Sequence, residues 1–96
     1  MNQAELLVQL VELAEAAGLR VRPIRGTSGA EGEPAAASGL CRVRGELWIV
    51  LSNNDSLEDR VAVVAGALRR EASEWLQSRY LPPALRDRIY SEKDPD

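Results

Sequence analysis

Leu47-Trp48-Ile49-Val50-Leu51 is an unbroken apolar run bounded by Gly45-Glu46 on one side and the turn-forming Ser52-Asn53-Asn54-Asp55-Ser56 on the other. A short run between such boundaries reads as a strand that is apolar on both faces, so one layer of helices leaves one face wanting cover. Ahead of it, Leu40-Cys41-Arg42-Val43-Arg44 has strand character, and Gly45 at the first central position predicts a type II′ hairpin turn through Gly45-Glu46. In that register Val43 lies opposite Trp48 and Cys41 opposite Val50, forming a wholly apolar face that the helices are expected to cover. The opposite face combines Leu40, Leu47, Ile49 and Leu51 with Arg42 and Arg44, and it is too apolar to be left to water.

Helical periodicity frames this hairpin. Leu6, Leu7, Leu10, Leu13, Ala14 and Ala17 recur at steps of three and four, and Gly18 follows as the expected left-handed cap. Leu19-Arg20-Val21-Arg22 then alternates as a strand, and Pro23, which lacks a backbone donor, makes that strand short or places it at a sheet edge. Residues 26–38 hold only Gly, Ala, Ser, Thr, Pro and Glu and predict a mobile loop. Asp55 with Glu58 and Ser56 with Asp59 are two candidate capping pairs. From there Leu57, Val61, Val64, Leu68, Ala72 and Trp75 mark the stripe of one long helix running to Gln77 or Ser78. Pro82-Pro83 ends that run and starts a short helix over 84–90, with a frayed tail at 91–96. The fold class expected over 1–96 is therefore a single small α+β domain. Its largely antiparallel sheet, an edge strand plus a hairpin, packs on an N-terminal helix and a long C-terminal helix.

With 96 residues, such a chain buries only about 60 to 65% of the surface it exposes when unfolded, which leaves little room for an elaborate site. It has no histidine and one cysteine. His/Cys zinc sites and His-based triads are thus excluded within one chain, and no cofactor is expected. The net charge of −3 argues against a nucleic-acid partner. A single thiol fits a reducing, cytoplasmic setting. Residues 1–20 carry Glu5, Glu12 and Glu15 and lack the basic start of a signal peptide, and no apolar run is long enough for a membrane span.

Arg20 and Arg22 share one strand face and Arg42 and Arg44 another, so the four guanidiniums form a candidate anion-binding cluster. The competing reading is a solvated face whose arginines pair with Glu. Cys41 reads as a buried, inert thiol, since no base stands near it in the sequence. Glu58 and Asp59 read as first-turn charges, Glu71 and Glu74 as solvated partners of Arg69 and Arg70, and Trp48 and Trp75 as core.

The stretch GLCRVRGELWIVLSNNDSLEDRVAVVAGALRR, residues 39–70, resembles the core of the ImmA/IrrE-type metallopeptidases, a hairpin followed by a helix that in the family bears HExxH. The resemblance places Arg60-Val61-Ala62-Val63-Val64 ahead of the motif. It puts the two zinc ligands at Ala65 and Arg69 and the motif glutamate at Gly66, so all three are replaced. What it implies is a non-catalytic relative that keeps the scaffold as an interaction module. The function expected is accordingly protein binding, first of all to a second copy through Leu40, Leu47, Ile49 and Leu51. The alternative is an anion, nucleotide or nucleic-acid module at Arg20, Arg22, Arg42 and Arg44.

Overall fold

In the computed structural model, which describes residues 2–24 and 38–91, the first helix opens at Asn2. The Asn2 side-chain oxygen accepts from the Glu5 N–H at 2.8 Å and so satisfies a donor that a helix start leaves free. This helix, α1, spans Gln3–Ala16. Gly18 ends it at φ 97°, with Gly18 N–H donating to the Glu15 carbonyl and Leu19 N–H to the Ala14 carbonyl. That double bond is a Schellman cap, and it aims the chain back along α1. Strand β1 follows at Arg20–Ile24. The hairpin consists of β2, Gly39–Val43, and β3, Glu46–Ser52. Then come α2 at Leu57–Glu71, α3 at Ser73–Gln77 and α4 at Pro83–Ile89. The expected loop at 26–38 and tail at 91–96 lie outside the described residues, apart from Ser38 and Ser91.

The sheet order is β1-β3-β2, so β1 is an edge strand as Pro23 implies, and the class is α+β. Two details differ from expectation. The sheet is mixed, because β1 runs parallel to β3 while β2 runs antiparallel to it. The hairpin turns through Arg44-Gly45, with Val43 opposite Glu46 and Cys41 opposite Trp48. Both central residues have positive φ, 51° and 84°, the signature of a type I′ turn, whose twist matches that of the strands it joins. Glu46 thereby joins β3, where its carboxylate meets Arg20 at 3.3 Å.

Helices cover the sheet face of Leu40, Leu47, Ile49 and Leu51, the reverse of the expected side. Ile49 is fully buried and Leu51 is 7% exposed, against Leu10 and Ala14 of α1 and Val61, Val64 and Leu68 of α2. The physical reason is β1. Its register sets Val21 beside Ile49 and Arg20 and Arg22 beside Trp48 and Val50. Turning the Trp48 side inward would bury both guanidiniums, and each uncompensated buried charge costs several kcal/mol, roughly.

The long C-terminal helix also differs. Ala72 leaves helical geometry at φ −129°, ψ 26°, and divides it into α2 and α3. An unbroken helix of that length would run about 31 Å, past a sheet whose longest strand covers about 23 Å. The break seats Leu76, rather than Trp75, in the core, followed by Leu81, Leu85 and Ile89. Arg69 secures the returning chain, its guanidinium donating to the carbonyls of Ile89 at 2.9 Å and Ser91 at 2.6 Å.

Two stability measurements check this fold. Ile49→Ala should cost about 2 to 5 kcal/mol in urea unfolding, while the same truncation at Val8, 56% exposed, should stay within about 0.5 kcal/mol. Arg44→Asn should raise stability by roughly 0.5 to 1 kcal/mol, because Asn tolerates the left-handed conformation that Arg44 is held in.

Candidate interaction face

On the sheet side away from the helices, register brings three rows together. Arg20 of β1, Trp48 of β3 and Cys41 of β2 form the middle row; Arg22, Val50 and Gly39 lie on one side of it, Glu46 and Val43 on the other. Trp48 and Val50 are half-buried, Val43 is 43% exposed and Cys41 is exposed. The Arg20 guanidinium lies 5.7 Å from the Trp48 ring centroid, within cation–π range. The Trp48 indole N–H is shielded from water and meets no acceptor among the described residues, a cost of about 1 to 3 kcal/mol. The face is thus an aromatic centre with aliphatic and thiol neighbours, a basic end and an acidic end.

Several sequence-derived sites change place. Of the proposed interface, Ile49 and Leu51 are core residues, and Leu40 and Leu47 are partly buried against that same core. The four arginines do not converge. Arg20 and Arg22 stand on the helix-free face, whereas Arg42 lies on the opposite side, its guanidinium 3.4 Å from the Gly45 carbonyl, and Arg44 is in the turn. Cys41 is exposed rather than buried, and Trp48 belongs to the outer face rather than the core. Trp75 packs partly against the core, with Arg79 stacked at 4.2 Å from its ring centroid. The missing signal was the pairing of β1, since neither the hairpin nor β1 alone says which side faces the helices.

Glu58, Asp59, Glu71 and Glu74 are all exposed, as solvated charges are expected to be. Where the metallopeptidase resemblance would place zinc ligands, Ala65 and Gly66 are buried in the helix interface and the Arg69 guanidinium donates to main-chain carbonyls. None of these groups offers a lone pair to zinc, so the residues do not fit the metal. Among the described residues no group of His, Cys, Asp or Glu is arranged to hold a metal ion, and no helix is long and apolar enough to cross a membrane.

A polar clasp closes the sheet end where β2 begins and β3 finishes. Ser56 is the working cap of α2, accepting from Asp59 N–H at 3.0 Å. Asp55 is diverted to Ser38, whose N–H donates to its carboxylate at 2.8 Å, and the Ser38 hydroxyl accepts from Ser52 N–H at 2.8 Å. The Ser38 hydroxyl and N–H both hold the Asp55 carboxyl below the usual carboxylate range, with Arg60 adding a smaller pull and partial burial opposing. Sequence reasoning placed Asp55 correctly in the turn but could not see that Ser38, 17 residues away, would compete with the helix for it.

No protein-family model, curated protein or solved structure gives a significant match to this chain.

A carboxyl whose pKa is lowered by folding stabilises the fold fully above its unfolded pKa, and the contribution fades as pH falls through the folded value. Asp55→Asn should therefore be less stable than the wild type near neutral pH. The gap should narrow as the pH falls below about 4, read from urea unfolding across the acid range.

Proposed function

We propose that the protein is a non-catalytic interaction module whose helix-free sheet face docks a second copy of the chain. One observation carries this reading: among the described residues, a strand that is apolar on both sides, β3, has helices on one side only, leaving Trp48, Val50, Val43 and Cys41 together on the other. Trp and Arg are the residue types that dominate interface hot spots, and Arg20 lies over Trp48 here. The charge pattern is self-complementary. A two-fold axis above Trp48, parallel to the sheet and running across the strands, reverses strand direction and sets the Glu46 end of one copy over the Arg22 end of the other.

The face is small. Three strands spaced about 4.8 Å apart and roughly 17 Å long fall short of the about 800 Å² per partner in standard interfaces. Association is accordingly weak and concentration-dependent. The absence of histidine supports a non-catalytic role, and a single exposed thiol fits a reducing, cytoplasmic setting. The anion-binding alternative has less to stand on, because two guanidiniums share this face rather than four, and that of Arg20 is paired with Glu46.

Light scattering after size exclusion tests the proposal. The mass should rise with loading concentration from 10.5 kDa toward twice that value. Val43→Asp should hold it at the monomer value with an unchanged circular dichroism spectrum. Arg22→Glu should weaken the dimer, and adding Glu46→Arg should restore it. A wild-type chain that stays monomeric at every concentration overturns the reading.

A further inference from the structure

Between α1 and the edge strand β1 runs a groove of about 520 Å³, on the other side of the sheet from the face described above. Leu7 and Val11 form one wall, Val21 and Ile24 the other, and Leu51 the floor. Its ends are charged and of opposite sign. Leu51 leads through the 53–56 turn into α2, which puts Arg60 at the end where β1 and β3 finish. Glu15, in the last turn of α1, closes the other end about 12 Å along the helix from Leu7.

Arg60 is half-buried, and its Nε donates to the Asp55 carbonyl at 3.1 Å, which fixes the plane of the guanidinium. Its two terminal nitrogens have no hydrogen-bond partner among the described residues. The Asp55 carboxylate accepts from Ser38 and pulls on Arg60 only at a distance. A guanidinium held in this way offers a planar pair of donors matched to a carboxylate. The volume lies within the range of small-molecule sites, and an apolar trough with few polar groups at its ends has their usual composition.

We infer that this groove binds a small monocarboxylate with an aliphatic or aryl body, the carboxylate on Arg60 and the apolar body along Leu7, Val11, Val21 and Ile24. Glu15 gives the site a selectivity. A second carboxylate at the far end of the ligand meets a like charge there, so monocarboxylates bind and dicarboxylates of equal length do not.

Amide chemical shifts of the full chain titrated with decanoate, decanol and decanedioate test this. Decanoate should bind saturably, with the largest shifts at Val11, Val21, Ile24 and Arg60. Decanol and decanedioate should each bind about tenfold more weakly or worse. Arg60→Gln should weaken decanoate about tenfold, while Arg60→Lys, which keeps the charge, should retain most of the affinity. Glu15→Gln should raise the affinity for decanedioate alone, an arm that needs no change at Arg60. The inference is overturned if decanoate shows no saturable binding up to millimolar concentration, if decanol binds as tightly, or if the shifts centre on Trp48 and Val43. The self-association of the helix-free face stands or falls separately, because the two sites share no residue.

Discussion

Parallel pairing of β1 against β3 is the constraint on which the rest of the molecule depends. It places Arg20 and Arg22 in the same rows as Trp48 and Val50, and a sheet that presents two guanidiniums on one face cannot turn that face toward a helical layer without desolvating them. The helices must therefore lie on the Ile49 side. From that one choice follow the composition of the core, the exposure of Cys41 and the half-open position of Trp48. The cost is visible in the Trp48 indole N–H, shielded without an acceptor among the described residues, and it is smaller than that of burying two charges.

A chain this short cannot rely on apolar mass alone, and its ends are held by polar ties of specific geometry. Ser38, Ser52 and Asp55 join the start of β2 to the end of β3, while Arg69 reaches from α2 to the last carbonyls of α4. Both ties satisfy main-chain groups that the chain would otherwise leave open where a strand or helix stops. They also fix the margins of the outer sheet face and of the groove beside β1. The clasp orders the turn whose Asp55 carbonyl accepts from the Arg60 Nε, and the type I′ turn brings Glu46 into line with Arg20.

These surfaces divide the sheet between them. The outer face offers an aromatic centre and a charge pattern that complements itself, which suits a flat partner of the same kind. The groove at the β1 edge is concave, apolar along its length and charged at its ends, which suits a small amphiphile.

Local patterns were read directly from the chain. The three-and-four spacing from Leu6 to Ala17, Gly18 as a cap, the Ser56 cap, the hairpin and the Pro-led last helix all appear where the residues alone place them, within a residue or so. Each depends on neighbours close in sequence, so backbone propensity and side-chain period suffice. The side of the sheet that faces the helices, the parallel direction of β1, the break at Ala72 and the capture of Asp55 by Ser38 required the assembled fold. Residues 40–51 by themselves favour the Cys41, Val43, Trp48 and Val50 side inward, and only the arginines of a third strand, brought alongside by folding, make that orientation the more costly of the two.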